Sequence, residues 1–238
     1  MASLPNINEN NVGFTQIDLL SKKKIGIKQW RVKEEKALMF AVEGIEREED
    51  GIKEIVKFTR TCCDNEKTFD SLSRANVVYV LAQIRKKSKG KTIEYNCSCE
   101  KCKLDLIDEV DLSTDLKTKK FDQTPIKIGD DLVITIKEVP VSKLELLSEQ
   151  FKKVTEYNFN FILASIDTIA FKGEVFEEFS EQECSDFIDE LDSNSFKELV
   201  KKVNEAQADV SIGKSLVCGK CKTENFVMLE GLESFLAF

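Results

Sequence analysis

The sequence predicts an α+β fold. A helical N-terminal part would precede a small antiparallel, zinc-ribbon-like sheet that a helical insertion splits in two. Two observations support this prediction. The pairs Cys99-Glu-Lys-Cys102 and Cys218-Gly-Lys-Cys221 lie far apart, and short segments with the composition of strands flank each of them. Apolar residues recur at helical spacing before the first pair and between the two pairs.

Both cysteine pairs have the form Cys-x-x-Cys-Lys, which is typical of a zinc knuckle. Two knuckles supply four thiolates, and a tetrahedral site with four thiolates is closed and therefore structural. The sequence predicts that Cys99, Cys102, Cys218 and Cys221 bind one zinc ion. The four thiolates would also accept iron.

The distance between the knuckles is unusual, because 115 residues separate Cys102 from Cys218, whereas ordinary ribbons separate their pairs by about 15 to 20. A folded insertion with neighbouring ends removes this difficulty. The zinc ion would then fasten the base of the insertion. Structural zinc contributes on the order of 10 kcal/mol to folding.

Other interpretations of these cysteines stay open. The pairs could form disulfides, or the thiols could be reduced and packed as small apolar groups. Cys97 could replace a ligand of the first knuckle in another register. Vicinal Cys62 and Cys63 fit a buried helix end better than a metal site, and Cys184 fits an ordinary helix position.

The composition is that of an ordinary soluble chain, with 238 residues, 42% apolar residues, 33% charged residues and a net charge of −8. The N-terminus lacks a basic start and an apolar run, and no later stretch is long enough to cross a bilayer, so we expect synthesis in the cytosol. There is no histidine. Serine and cysteine nucleophiles usually need an imidazole base. Carboxylate, lysine or tyrosine chemistry stays open, but no stretch of the sequence concentrates such residues, so we expect a protein without enzymatic activity and assign no catalytic residue.

Five segments are expected along the chain. Residues 1–24 form a tail or arm, and 25–91 form the helical N-terminal part. Residues 92–138 and 209–230 form the split β part, 139–208 form the helical insertion, and 231–238 form an apolar end.

The predicted elements of the first half are a strand at 25–32 that contains Trp30, helices that begin near residues 33 and 52, and a helix at 72–88 that Gly90 ends. Strands follow at 92–97 and 104–112, on either side of the first knuckle. A hairpin is expected at 126–137.

In the second half the periodicity predicts helices at 141–157, 159–171 and 193–206, and a helix that Ser180-Glu-Gln-Glu begins. Strands at 210–218 and 225–229 flank the second knuckle. The apolar end either docks on the protein's own core or enters a partner. Trp30, Phe235, Leu236 and Phe238 are the candidate partner-binding residues.

The order of these features resembles one known family. A helical N-terminal part ends in Asp70-Ser-Leu-Ser-Arg-Ala-Asn-Val-Val-Tyr-Val-Leu-Ala-Gln-Ile-Arg-Lys-Lys-Ser-Lys-Gly90, and the two knuckles enclose a phenylalanine-rich helical stretch. The short apolar end Leu229-Glu-Gly-Leu-Glu-Ser-Phe-Leu follows. Together they resemble the baseplate hub subunits and hub-assembly proteins of T4-like contractile-tailed bacteriophages, over residues 25–238. Cys97 and the Cys62-Cys63 pair depart from that pattern.

The resemblance implies a non-enzymatic structural or assembly protein at the central hub of the tail baseplate. Its partners would be other hub proteins, the tail-tube initiator or the tape-measure protein. It would be located in the virion and, during assembly, in the host cytoplasm, without membrane contact.

The alternative is a zinc-ribbon protein that binds nucleic acid through the lysines of residues 22–24, the basic run 85–91 and the lysines of 117–120. The acidic net charge disfavours it, because duplex binding uses a concentrated basic face. Basic residues in 85–91 also complement the end of a helix dipole.

Overall fold

The computed structural model describes residues 13–43, 48–229 and 235, and the fold is a mixed α+β fold, as predicted. In this part of the chain the elements follow in the order β1 (Thr15–Asp18), β2 (Lys24–Ile27), α1 (Val32–Glu43), α2 (Glu48–Thr61), α3 (Glu66–Asp70), α4 (Arg74–Lys89), β3 (Thr92–Ser98), β4 (Asp105–Asp111), β5 (Leu116–Lys119), β6 (Ile126–Ile128), β7 (Leu132–Ile136), α5 (Val141–Gln150), α6 (Val154–Ser165), β8 (Ile166–Phe171), β9 (Glu174–Phe176), α7 (Glu181–Asp189), α8 (Ser193–Ala206), β10 (Asp209–Val217) and β11 (Glu224–Leu229). None of the described helices is both long enough and apolar enough to cross a membrane.

The chain divides into two compact units. The first unit contains residues 1–69, 76–117 and 211–238, and the second contains 70–75 and 118–210. The chain passes from one unit to the other inside β5 and again inside β10. The second unit is thus an insertion whose two main ends lie on strands of one sheet, since β5 and β10 pair directly.

In the N-terminal part of the first unit, the β1–β2 hairpin contacts α4. The Leu20 amide donates to Asn76 Oδ1 (3.0 Å), and the Trp30 amide donates to Ser88 Oγ (3.0 Å). Trp30 is only 7% exposed and packs against Phe58 of α2, with 5.4 Å between ring centroids. Helix α4 buries an apolar face that includes Val77, Val80, Leu81 and Ile84, which fits the helical periodicity of the sequence.

The β part of the first unit contains two small antiparallel sheets. One is the β3–β4 hairpin, and the other has the order β11-β10-β5. Along β3 the buried residues Ile93 and Tyr95 alternate with exposed ones, which is the period-two pattern of a strand with one covered face. Strands β3 and β10 each end at a cysteine knuckle.

The second unit is built around a four-stranded antiparallel sheet of order β6-β7-β8-β9, with helices packed against it. Helices α7 and α8 begin with well-formed caps. Ser180 and Glu183 form the capping box that the sequence predicts, and Asp192 caps α8. The buried core includes Ile134, Ile162, Ile166, Ile169, Ile188, Leu199 and Val203.

Three predictions about the second unit and its borders are wrong. The helix expected at 159–171 ends at Ser165, and Ile166–Phe171 is strand β8, because the β-branched residues Ile166, Thr168 and Ile169 fit the pleat opposite β7. The helix expected at 141–157 is two helices, with extended backbone at Phe151 and Lys153. The hairpin β6–β7 belongs to the second unit and not to the ribbon.

Two differences concern the start of the chain. Residues 15–18, expected within a tail, form strand β1 and pair with β2. The strand expected at 25–32 covers only Lys24–Ile27, after which the chain turns into α1. The first twelve residues of the expected tail lie outside the described residues.

Candidate metal centre

Two hairpins hold the cysteine knuckles. The first knuckle joins β3 to β4, so Cys99 directly follows the last strand residue, Ser98. The second joins β10 to β11, so Cys218 directly follows Val217. Strand ends position the first cysteine of each pair, and the tight turn of the knuckle positions the second.

The backbone of the two knuckles is hydrogen-bonded in the same way. In the first, the Cys99 amide donates to the Leu104 carbonyl (2.8 Å) and the Lys103 amide donates to the Cys99 carbonyl (2.9 Å). In the second, the Cys218 amide donates to the Thr223 carbonyl (2.9 Å) and the Lys222 amide to the Cys218 carbonyl (3.0 Å). Each knuckle is therefore a closed six-residue turn with its two thiols on one side.

The structure brings the four predicted cysteines together. Their sulfur atoms all lie within 4.8 Å of one another, with 3.5 Å between Cys99 Sγ and Cys221 Sγ and 3.6 Å between Cys102 Sγ and Cys218 Sγ. A regular tetrahedron with metal–sulfur bonds of about 2.3 Å has sulfur–sulfur distances of about 3.8 Å. A disulfide would need about 2.0 Å, and all four cysteines are free. The arrangement is compatible with a metal site and differs from two disulfides.

The cluster is shielded from solvent on one side. Cys99 and Cys218 are fully buried, whereas Cys102 and Cys221 are partly exposed. Leu106 belongs to the same buried cluster as Cys99 and Cys218, and Leu216 packs against that cluster. Cys97, opposite Leu106 across the β3–β4 hairpin, packs against the same cluster but does not belong to the group of four.

Hydrogen bonds favour the thiolate form at two of the four positions. The hydroxyl of Thr223, 3.3 Å from Cys221 Sγ, and its backbone amide lower the pKa of Cys221 to about 6. The backbone amide of Cys102 is the main cause of a lowered pKa at Cys99. At Cys102 the Leu104 amide acts in the same direction, but burial and the neighbouring thiols outweigh it and raise the pKa to about 11. Four uncompensated thiolates repel one another, and a bound cation would remove that cost.

Side chains outside the knuckles tie the two hairpins together. The buried Asn225 on β11 accepts a hydrogen bond from the Glu100 amide of the first knuckle (2.9 Å) and donates to the Thr223 carbonyl of the second (3.0 Å). Lys214 on β10 pairs with Asp108 on β4 at 3.2 Å. The sequence predicts neither contact, because a single polar residue in a strand carries no signal of its long-range partner.

A family model described as "T4 bacteriophage base plate protein" matches residues 13–237, nearly the whole chain. The chain belongs to this family. The resemblance seen in the sequence is thereby confirmed at the level of the baseplate, and membership supports a structural role in a phage tail. Comparisons with curated proteins and with solved structures gave no match.

Of the predicted partner-binding residues, the structure describes Trp30 and Phe235, and both are buried. Trp30 is buried against Phe58, so its ring belongs to the core of the first unit. Phe235 is fully buried, which favours docking on the protein's own core for this residue. Leu236 and Phe238 lie outside the described residues. The role of Trp30 and of the three end residues in partner binding stays a prediction.

The basic run 85–91 mostly serves the fold. The buried Arg85 donates from Nη1 to the Gly90 carbonyl (2.9 Å), and Gly90 has the left-handed conformation (φ 92°) expected after a helix. Lys89 pairs with Glu35 (2.5 Å) and Lys91 with Asp111 (2.7 Å). These contacts agree with the helix-end interpretation of this run and reduce the positive charge that a nucleic acid would meet.

Proposed function

We propose that the protein is a structural or assembly protein of the central hub of a contractile phage tail baseplate. One zinc ion bound by Cys99, Cys102, Cys218 and Cys221 would hold its fold rigid. It would act through protein–protein contacts with other hub proteins, the tail-tube initiator or the tape-measure protein, and without catalysis. Its place would be the virion and, before that, the host cytoplasm.

The grouping of the four sulfurs within 4.8 Å carries the metal part of this proposal, and the family match over residues 13–237 carries the baseplate part. Two pairs separated by 115 residues reach one point in space, and each comes from a turn with the same hydrogen-bond pattern. A chance meeting of reduced thiols would not require matching turns. Closed four-thiolate sites are structural because no coordination position is left for a substrate.

The location of the cluster explains what the metal would contribute. The knuckles lie at the ends of β3 and β10, and the second unit leaves the first between β5 and β10. A metal would join the β3–β4 and β10–β11 hairpins to each other within the first unit, and Cys218 follows the end of β10 opposite to Ser211, where the chain returns from the insertion. Such a link would stabilise the first unit, since structural zinc contributes on the order of 10 kcal/mol to folding.

The first experiment is metal analysis of the full chain, purified without added metal, together with thiol titration. We expect one zinc ion per chain and four cysteines that react only after chelation. A metal-free protein with all eight cysteines reactive would overturn the metal centre, and detection of one iron per chain would mean that the site binds iron and not zinc.

The second experiment tests whether the protein is located in the baseplate hub. An epitope-tagged chain, expressed during infection by the phage that encodes it, should be found in purified hub subassemblies. Its presence only in outer baseplate parts would overturn the hub assignment.

A further inference from the structure

The negative charge of the protein is concentrated in one segment of the second unit. Residues 173–196 contain nine carboxylates and neither lysine nor arginine. The whole chain has 43 acidic and 35 basic residues, so its other 34 acidic residues nearly balance the 35 basic ones. The segment spans β9 and α7 and therefore forms one continuous part of the fold.

The same segment exposes apolar side chains on the edge of a sheet. Strand β9 is the last strand in the order β6-β7-β8-β9 and pairs only with β8 in the described part of the chain. Val175 is 62% exposed and Phe176 is 46% exposed, and neighbouring Phe171 on β8 is 36% exposed. Exposed β-branched and aromatic residues on an edge strand are an aggregation hazard unless the edge is protected or used.

Carboxylates surround this apolar edge. Glu174 lies on β9 itself, Glu177 and Glu178 directly follow it, and all three are exposed. Hydrogen bonds from the amide and hydroxyl of Ser180 keep the pKa of Glu183 low, so that carboxylate is charged at neutral pH. In the described part of the chain, Lys143 pairs with Glu181 at 2.5 Å, Lys172 lies over the Phe171 ring, and the charge of Lys137 acts on Cys184 of α7. They leave most of the negative charge uncompensated.

We propose that β9 and residues 177–178 form a docking edge for an extended segment of another baseplate protein that alternates basic and apolar residues. This inference rests on the proposed role in baseplate assembly. The occupant would add a strand beside β9, with its apolar side chains on the face of Val175 and its cations on the face of Glu174, because successive side chains of a strand point to opposite faces.

Charge complementarity selects this occupant. A second copy of the chain would bring the same acidic edge against this one, and like charges placed opposite each other cost free energy. A nucleic acid is excluded from this edge by the same repulsion. A purely apolar strand would leave the carboxylates without partners, whereas a basic one gains both attraction and faster association.

The test uses the full chain and a synthetic peptide of about eight residues that alternates lysine and valine, the length of one added strand. Fluorescence anisotropy should show binding that weakens steeply when the salt concentration rises from about 0.05 M to about 0.5 M. A peptide that alternates glutamate and valine should not bind. Equal binding of the two peptides would overturn the proposal.

Two comparisons, each between a variant and its control, test whether the peptide binds at β9 and residues 177–178. Glu177→Lys with Glu178→Lys should weaken binding at least about tenfold, whereas Glu94→Lys with Glu109→Lys, which reverses two exposed glutamates of the β3–β4 hairpin, should not. Val175→Ser should weaken binding, whereas Val154→Ser, at a valine 66% exposed on α6, should not. Equal affinity of each variant and its control would overturn the docking edge.

The peptide-binding measurement and the metal analysis test different proposals, and either proposal can be contradicted without the other. Loss of zinc would contradict the metal centre and leave the acidic edge untouched, because the edge belongs to the second unit. Absence of the wild-type chain from hub subassemblies would contradict the proposed function. If wild-type chains enter the hub and chains with Glu177→Lys and Glu178→Lys enter equally well, the docking edge has no role there and the inference is overturned.

Discussion

Lys103 and Lys222 occupy the same position in the two knuckles and have nearly the same left-handed backbone, with φ of 58° and 59°. Each directly follows the second cysteine of its pair and donates its amide to the carbonyl of the first. The two turns are therefore equivalent in local geometry although 115 residues separate the pairs. A left-handed residue at this point lets the chain leave the turn and enter the next strand.

This equivalence predicts the effect of a β-branched residue at that position. Lys222→Val should lower the free energy of unfolding by about 1–2 kcal/mol, because a side chain branched at Cβ strongly disfavours positive φ. Thermal unfolding of the metal-loaded chain measures the effect. Lys220→Val, at an exposed position without positive φ, is the control. Equal melting temperatures would mean that the second knuckle can adopt another turn.

Loss of one sulfur should have a larger effect than loss of an ordinary buried thiol. Cys218→Ser removes a ligand from the proposed zinc site, whose binding contributes on the order of 10 kcal/mol. We expect the variant to lose its metal and to melt at a much lower temperature. Cys184→Ser, in a cysteine of α7 that is 3% exposed and outside the cluster, should cost only about 1–3 kcal/mol. Similar melting temperatures for the two variants, both with full zinc content, would contradict the metal centre.

Asn225 links the two hairpins and should stabilise the cluster from outside it. Asn225→Ala leaves the Glu100 amide without its partner, whereas the Thr223 carbonyl keeps its hydrogen bond from the Cys218 amide. A buried polar group without a partner costs about 1–3 kcal/mol. Zinc release to a chelator should also become faster, because the first knuckle is no longer held beside the second. Asn96→Ala, at an exposed site on β3, should change neither quantity.

The cap of α8 gives a prediction about pH. The hydroxyl of Ser195, followed by the amides of Ser195 and Asn194, holds the pKa of Asp192 below its ordinary value. A carboxyl with a lowered pKa in the folded state stabilises the fold fully above its unfolded pKa of about 4. The stabilisation is lost as the pH falls from there through the lower folded pKa.

Asp192→Ala should therefore melt below the wild type at neutral pH, and the difference should shrink below about pH 4. Melting curves across this range measure it. Asp189→Ala, at an exposed carboxylate on α7, should show little difference at any pH. A constant difference for Asp192→Ala down to the lowest pH would show that its charge does not contribute to the cap.

Sequence patterns predicted correctly those structural features that neighbouring residues determine. The capping box at Ser180, the glycine end of α4 at Gly90 and the strands on either side of each knuckle were all predicted from neighbouring residues. The apolar run 159–171 shows where such patterns fail. Its composition suits a helix or a buried strand, and the pairing of Ile166, Thr168 and Ile169 with β7 decides for the strand.

The sequence by itself determined the fold class, the family and the four cysteines that could meet. Chain chemistry is enough for these features, because periodicity, turn residues and ligand spacing are properties of short segments. Only the tertiary structure decided that the hairpin β6–β7 joins the second unit, that Trp30 and Phe235 are buried, and that Asn225 connects the two knuckles. These outcomes depend on contacts between residues far apart in the chain, and the free energy of such contacts is not encoded in any one segment.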